Sequence, residues 1–451
     1  MMSLTVVNPA TEETIAELEP AGIDEVDEAV ARARAAFPAW RAVGVGDRAR
    51  LLRRLASLVE EHAEELARIE SENVGKPIAG ARAEVAMVAS VFHFYAGAVD
   101  KHHGETIPVD GGVDLTFREP LGVCGLIVPW NFPLNIASWK LGPALACGNT
   151  VVLKPAELTP LSALRLAELV LQAGIPEGVV NVVAGPGRVV GQRLVEHPGV
   201  AKIAFTGSTE VGASVMRGAA ETVKRVTLEL GGKSANVVFA DADLERAAAA
   251  APYAVFDNAG QDCCARSRIL VERSAWDRFV ELLVDSTSRV RVGDPADDAT
   301  EMGPLISAQH RETVSSYADG NVVFRGNVPD GPGFWFPCTL VEATNADRVA
   351  REEVFGPVAA LIPFEDEAEA IRLANDTPYG LSGSIWTRDG ARALRVARGI
   401  DSGVLSVNSN SSVRVATPFG GFKQSGFGRE LGMHALESYS EVKNVFVSTE
   451  A

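Results

Sequence analysis

The sequence predicts an α/β fold of two successive strand–helix series, the first forming a parallel sheet, and three observations carry that prediction. From Gly122 to Ala220 short apolar runs alternate with segments of helical periodicity. A second alternating series starts at Ser234. Two β-rich stretches, residues 105–119 and 441–449, stand outside both series.

In chain order, residues 24–100 read as three helices. Asp24 is a cap, Gly44 and Gly46 interrupt, residues 49–69 keep helical apolar spacing, and Gly75-Lys76-Pro77 marks the second break. Residues 105–119 read as a hairpin turning at Asp110-Gly111-Gly112. Strands follow at 123–128, 150–154, 179–183, 202–205 and 226–230, with helices at 161–173, 188–196 and 208–220 between them. Continuous apolar strands alternating with helices give a parallel sheet covered on both faces, which takes its ligand at the strand C-terminal ends. The second series runs through 234–239, helical 242–251, 269–271 and 358–362. Residues 441–449 read as a late strand that pairs either with the hairpin or with a neighbouring subunit.

The chain has 451 residues, 47% apolar and 22% charged, which is a globular composition long enough for two or three domains. The net charge of −17 disfavours nucleic acid and anionic membranes, and no run reaches the ~18 apolar residues of a spanning helix. Arg48 to Arg54 is followed by Glu60, Glu61, Glu64 and Glu65, the pattern of a solvated helix face. Five cysteines in no metal-ligand spacing, and no secretory signal pattern at the N-terminus, lead to an expectation of a reducing cytoplasm and of no metal site.

Several stretches carry chemistry. Gly185, Gly187 and Gly191 miss the dinucleotide fingerprint by one residue. Phe205-Thr206-Gly207-Ser208-Thr209 is the better phosphate candidate, a buried strand opening a helix whose free amides suit a pyrophosphate; the alternative is an ordinary helix capped by Ser208. Lys154 and Glu157 end another strand, either as ribose ligands or as a surface ion pair. Asn131, fixed between Pro129 and Pro133, is an oxyanion donor or a turn asparagine. Glu229, flanked by Leu228, Leu230 and two glycines, is a buried base of raised pKa or a solvated strand end. Cys263 and Cys264 have equal claims to be a nucleophile, since spacing does not choose between them.

Taken together, Pro129-Trp130-Asn131-Phe132-Pro133, Phe205-Thr206-Gly207-Ser208, Leu228-Glu229-Leu230-Gly231-Gly232-Lys233, Gly260-Gln261-Asp262-Cys263, Glu352-Glu353-Val354-Phe355-Gly356-Pro357 and Pro418-Phe419-Gly420-Gly421-Phe422-Lys423 resemble, in content and order, the NAD(P)-dependent aldehyde dehydrogenase superfamily. The resemblance implies a Rossmann-like NAD-binding domain (1–104 and 121–231), a catalytic domain (232–424) and an oligomerisation arm (105–120 and 425–451) of a homodimer or homotetramer. It implies Cys263 as nucleophile, Asn131 as oxyanion donor, Glu229 as the base that activates water, and Glu430 on the proton exit route. It assigns Lys154 and Glu157 to the adenosine ribose, Ser208 to the pyrophosphate, and Glu353 with Phe355 to the nicotinamide ribose. Trp130, Gly187, Phe205, Gly207, Val211, Leu230 and Gly231 complete the expected cofactor site. Glu157 favours NAD over NADP. Phe132, Trp139, Asp262 and Phe419 are the expected substrate walls. Residues 258–263 are similar to the aminobutyraldehyde dehydrogenases, which implies an ω-aminoaldehyde substrate; aliphatic, aromatic or γ-glutamyl-capped aldehydes are the alternatives. Outside this family, a cysteine-dependent acyl transferase or hydrolase would need the thiol but none of the cofactor motifs.

Overall fold

The computed structural model describes residues 3–411 and 413–450. Strands β1 (Leu4–Val7) and β2 (Thr14–Leu18) pair antiparallel and lead into helices α1 (Ile23–Arg41), α2 (Val45–Glu61), α3 (Ala63–Val74) and α4 (Ile78–Ala98). The sequence predicts three helices here, and the structure has four. The expected 49–69 helix divides at His62, whose φ of −106° and ψ of 20° leave the helical region. Both halves bury residues in the same core, so the apolar spacing runs through the break without marking it. Gly75, at φ +84°, ends α3 in the left-handed conformation that glycine adopts freely.

The hairpin β3 (Thr106–Val109) and β4 (Gly112–Pro120) precedes the first parallel sheet. Its strands are β5 (Val123–Ile127), β6 (Thr150–Lys154), β7 (Val180–Val182), β8 (Lys202–Thr206) and β9 (Arg225–Glu229), in the order β9-β8-β5-β6-β7. All residues of β5, β6 and β8 are buried, as a sheet covered on both faces requires. One face packs Cys124, Leu126, Val151 and Leu153 on α2, α4 and α5 (Pro133–Ala146); the other packs Val123, Ile127, Val152 and Ile203 on α1. The chain winds outward from β5 to β7 and then returns to β8 on the other side of β5. The β5–β8 boundary is therefore the switch point at which such sheets hold ligands.

Helix α6 (Leu161–Gln172) precedes β7, and after β7 residues 187–191 form a π-helical turn that runs directly into the short α7 (Gln192–Glu196). After β8 comes α8 (Thr209–Ala220), capped by the Ser208 side chain, which accepts from the Val211 N–H at 3.3 Å.

The second sheet contains β10 (Ala235–Val238), β11 (Arg268–Glu272), β12 (Asn321–Arg325), β13 (Thr339–Glu342) and β14 (Val358–Phe364). The two-residue β15 (Tyr379–Gly380) is followed by β16 (Ser382–Trp386) and β17 (Val404–Val407), and the sheet order is β12-β13-β14-β11-β10-β16-β17. All its neighbours are parallel except β12 and β13. Strand β18 (Phe422–Lys423) pairs with β15, and β19 (Gly426–Phe427) adds antiparallel to β9, tying the late chain to the first sheet. Last, β20 (Ser440–Ser448) runs antiparallel along β4 over its whole length. Of the two partners open to the late strand, the hairpin of the same chain is the one it takes. Within the 425–451 segment, residues 426–427 belong to the first sheet and 440–448 to the arm.

Candidate active site

The two sheets meet with the C-terminal edge of the first facing the N-terminal edge of the second. Loop 128–132 leaves the end of β5, and Pro133 sits in the first turn of α5, where its missing N–H costs nothing. The loop meets the turn that precedes β11. There Asn258, Ala259 and Gly260 have φ of 48°, 57° and 69°, three consecutive left-handed residues, two of which are not glycine. Such strain persists only where surroundings over-determine it. Here the fully buried Gln261 receives the Ile306 N–H at 2.8 Å and donates to the Asn258 carbonyl at 2.9 Å. The Asn258 amide donates to the Asn131 carbonyl at 3.0 Å, and the Asn131 amide donates back to the Gln261 carbonyl at 2.8 Å. A Cβ on Gly260 would lie 2.3 Å from the Gly356 oxygen. Gly260→Ala is accordingly expected to cost about 3 kcal/mol or more in unfolding free energy, measured by urea denaturation, since φ and contact both oppose it.

This turn separates the two thiols. Cys264 is buried in the first-sheet core, and a buried Arg266 donates to its carbonyl at 3.0 Å. Cys263 is only partly buried. A hydrogen bond with Cys264, followed by burial and nearby negative charge, pushes the Cys263 thiol well above its ordinary range. Asp262 folds back on the turn, accepting the Cys264 N–H at 2.9 Å through Oδ1. The sulfurs and this carboxylate lie within 4.8 Å of one another, but all three come from one turn and none from a second segment.

Gly232 lies directly against the Cys263 turn: a Cβ there would be 2.3 Å from the Cys263 carbonyl oxygen. The end of β9 is therefore held at Cys263. Glu229, 4% exposed, is not a solvated strand end, and neither of its carboxylate oxygens has a hydrogen-bond partner among the described residues. Burial, reinforced by the negative charge of Glu430, raises its pKa well above the carboxylate range. Glu430 is itself buried and paired with Lys140, a fully buried lysine of α5 absent from the sequence reading. Lys140 is the only charged residue in the 14 of α5, and that isolation is the signal the sequence offers for it.

At the switch-point edge, the structure brings Lys154, Glu157 and Gly187 together: Glu157 accepts the Gly187 N–H at 2.6 Å, and Lys154 is 4% exposed, so these are not a surface ion pair. Burial lowers the Lys154 pKa, and Glu157 opposes that shift. Phe205, Gly207 and Ser208 follow on the next strand end, with Val211 exposed on the first turn of α8. On the side of the second sheet, Glu353 accepts the Gly232 N–H at 2.9 Å and lies over Gly231, where a Cβ would be 2.2 Å from its carboxylate. Burial pushes Glu353 up to about 7. Leu230 donates to the Ser425 carbonyl at 3.0 Å. Trp130 packs edge-on against Phe355, their ring centroids 5.3 Å apart.

Of the expected substrate walls, Trp139 and Phe419 are each 4% exposed and pack edge-to-face at 5.1 Å, while Phe132 is half-buried beside them. Over the Phe132 ring, at 4.5 Å, sits the buried ammonium of Lys76. Glu84 accepts from Lys76 at 2.6 Å, and Glu70 lies 3.7 Å from it. Burial pushes Glu84 up to about 8, and burial with the charge of Asp262 pushes Asp257 up to about 6. Lys76, Glu70, Glu84 and Asp257 escaped the sequence reading, because separate helices and a turn supply them.

The sequence profile described as the aldehyde dehydrogenase family matches residues 2–445. The chain belongs to the aldehyde dehydrogenase family. Betaine aldehyde dehydrogenase of Bacillus subtilis is 43% identical over 461 residues, covering 99% of this chain and 94% of that protein. Retinal dehydrogenase 2 of Mus musculus is 46% identical, covering 98% and 88%. Among solved structures, PnpE from Pseudomonas sp. WBC-3, also solved in complex with nicotinamide adenine dinucleotide, superimposes with a TM-score of 0.98 at 46% identity, covering 100% of this chain and 95% of that one. Betaine aldehyde dehydrogenase from Staphylococcus aureus in complex with NAD+ gives a TM-score of 0.97 at 38% identity, covering 100% and 92%. An aldehyde dehydrogenase needs a nucleophile, an oxyanion donor, a base and a cofactor crevice; the two sheet edges place candidates for all four beside one turn.

Proposed function

We propose that the chain oxidises an aldehyde irreversibly to a carboxylic acid with NAD as cofactor, and that its substrate is an ω-aminoaldehyde such as 4-aminobutanal. The observation that carries the chemistry is the meeting of a partly accessible thiol, a carboxamide on the loop hydrogen-bonded to its turn and a buried carboxyl group without a hydrogen-bond partner among the described residues. The Cys263 sulfur adds to the aldehyde carbon. The carbonyl oxygen becomes an oxyanion that accepts from the second Asn131 Nδ2 hydrogen, the first being committed to Gln261, and from the Cys263 N–H. When bound, NAD supplies the hydride acceptor and a cationic ring that favours the thiolate. The resulting thioester is cleaved by water that Glu229 deprotonates, so one oxidation becomes two accessible steps. Glu430, paired with Lys140, lies next on the path of that proton.

The residues fit NAD. Gly187, with no side chain beside Glu157 and Lys154, keeps backbone open where a dinucleotide must approach, Gly231 leaves the room that the Glu353 carboxylate takes, and a buried cation faces a carboxylate at the ribose position. Lys154 and Glu157 would hold the adenosine ribose, with Glu157 disfavouring a 2′-phosphate. Ser208, framed by Phe205, Gly207 and Val211, would hold the pyrophosphate, and Glu353 and Phe355, beside Trp130, Leu230 and Gly231, the nicotinamide ribose.

The substrate reading rests on charge. Relatives named for betaine aldehyde and for retinal match comparably, so the family does not choose a substrate. Beside Phe132, however, Glu70, Glu84 and Asp257 surround the ammonium of Lys76, Asp262 lies near both Lys76 and Arg266, and burial raises the pKa of each carboxyl group. An entering ammonium group would relieve that imbalance; a hydrocarbon tail would not. Wild-type enzyme is expected to prefer 4-aminobutanal to butanal by about tenfold in kcat/KM, roughly the worth of one partly buried ion pair. Glu84→Gln and Asp262→Asn should each erode the preference. Equal values for the two aldehydes, or a preference neither substitution touches, would sink the aminoaldehyde reading while leaving aldehyde oxidation standing. A thiol hydrolase reading is separated by NADH absorbance, which only a dehydrogenase generates on adding aldehyde.

The division into an NAD-binding domain (1–104 and 121–231), a catalytic domain (232–424) and an arm (105–120 and 425–451) belongs to the same proposal, as does a homodimer or homotetramer. Phe117 and Val445 stand exposed on one face of the arm sheet and Val442 and Phe446 on the other, apolar pairs suited to a second copy.

A further inference from the structure

Resting on the role given to Glu229, we propose that Lys202 is a positioning residue for that base, receiving through Glu430 and Lys140 the proton that Glu229 takes from water. Lys202 opens β8, and its ammonium nitrogen, 1% exposed with its residue, donates to the Thr227 hydroxyl at 3.0 Å and sits 4.8 Å from the centre of the Tyr439 ring. Thr227 and Glu229 are alternate residues of β9, so both side chains point to one face of the sheet, about 7 Å apart. On that same face α5 brings Lys140 and the C-terminal segment brings Glu430. The polar groups thus form a file under the sheet, from Glu229 at the strand end to Lys202 at the strand start.

Charge neutrality makes the file directional. The Glu430–Lys140 pair is neutral, so with Glu229 protonated and Lys202 an uncharged amine the buried file carries no net charge. Ionising Glu229 alone would bury a net negative charge, which the interior resists. Moving its proton to Lys202 converts COOH and NH2 into COO− and NH3+ and keeps the sum at zero. Burial already brings Lys202 down to about 7, so the amine is a competent acceptor near neutral pH. The groups facing it are Cys124 on β5, Lys140 on α5, Thr227 on β9, Glu430 and Tyr439; Cys124 and Glu430 favour its charged form and Lys140 opposes it. Glu229 faces Glu430, Lys140, Cys264 and Arg429, the last held by the carbonyls of Gly421 and Gly428 and only partly buried.

The test is the pH profile of steady-state turnover by the NAD-loaded enzyme, with the pre-steady-state NADH burst as the control for acylation. Lys202→Met removes the acceptor: the burst should stand, and turnover at pH 7 should fall about tenfold, recovering as pH rises and moving the acidic limb up by about one unit. Lys202→Arg fixes a positive charge that cannot be shed, and should move the limb the opposite way. Shifts in the same direction, or superimposable profiles, would overturn the proposal, because a packing role predicts no opposition between the two. Should either lysine variant fail to fold, Thr227→Val, which releases the amine without changing charge, is expected to shift the limb upward; an unmoved limb refutes the proposal. A Glu229→Gln enzyme that keeps full turnover would instead refute the base assignment on which this rests.

Discussion

Replacing Cys263 by alanine is expected to abolish aldehyde oxidation, lowering kcat by about 10⁵-fold, while Cys264→Ala stays within about tenfold of the parent. The distinction comes from the turn. Three left-handed residues and the Gln261 bonds turn the chain so that Cys263 is left partly accessible, while Cys264 packs into the core and anchors its carbonyl on Arg266. Loss of a buried thiol at Cys264 costs stability, of the order of 1 kcal/mol, and leaves the chemistry in place. Loss at Cys263 removes the atom that would bond to carbon. Three measurements separate the outcomes: NAD binding by tryptophan fluorescence, the single-turnover NADH burst, and urea denaturation. The Cys263→Ala enzyme should bind NAD and unfold as the parent does, yet give no burst. A burst retained in that variant and lost in Cys264→Ala would transfer the nucleophile to Cys264.

The parts of this site legible in the sequence are those that lie on strand ends and the loops after them. Pro129 to Pro133, Thr206 to Ser208 and Glu229 to Gly232 each follow a buried parallel strand, so the run of apolar residues announces where the chain must turn and expose its chemistry. The charges behind the site were not legible in the same way. Glu84 lies on a helix that also carries Arg82, where it reads as an ordinary surface group until packing closes over it, and the isolation of Lys140 among apolar residues marks its burial but not its partner. Lys202 begins a strand and would read as a flanking charge; only the stacking of α5 and Tyr439 against the sheet buries it. The choice between the two cysteines was equally closed to spacing, because it depends on a run of positive φ through Asn258 and Ala259, and while asparagine tolerates that conformation alanine gives no sign of it. The helix break at His62 stayed hidden because two helices that share one core share one periodicity.

The second large effect concerns the base. Glu229→Gln preserves shape and burial but removes proton acceptance, so acylation should proceed and hydrolysis of the thioester should not. The expected record is an NADH burst equal to the enzyme concentration followed by steady-state turnover about 10²- to 10³-fold slower than the parent. In the parent, turnover should rise with pH through the raised pKa of Glu229, because only the carboxylate accepts a proton; the glutamine enzyme should lose that rise. Stability should move the other way. A carboxyl group whose folded pKa lies above its unfolded value binds more protons in the native state, so its contribution is full below the unfolded pKa and is lost as pH climbs through the folded one. Glutamine carries no such loss. Thermal denaturation should therefore find Glu229→Gln more stable than the parent at pH 8, with the gap closing toward pH 4. A parent enzyme as stable as the variant at both pH values would mean that Glu229 is not held protonated by its surroundings. The unpartnered oxygens would then have found solvent, and the base would need no file of charges behind it.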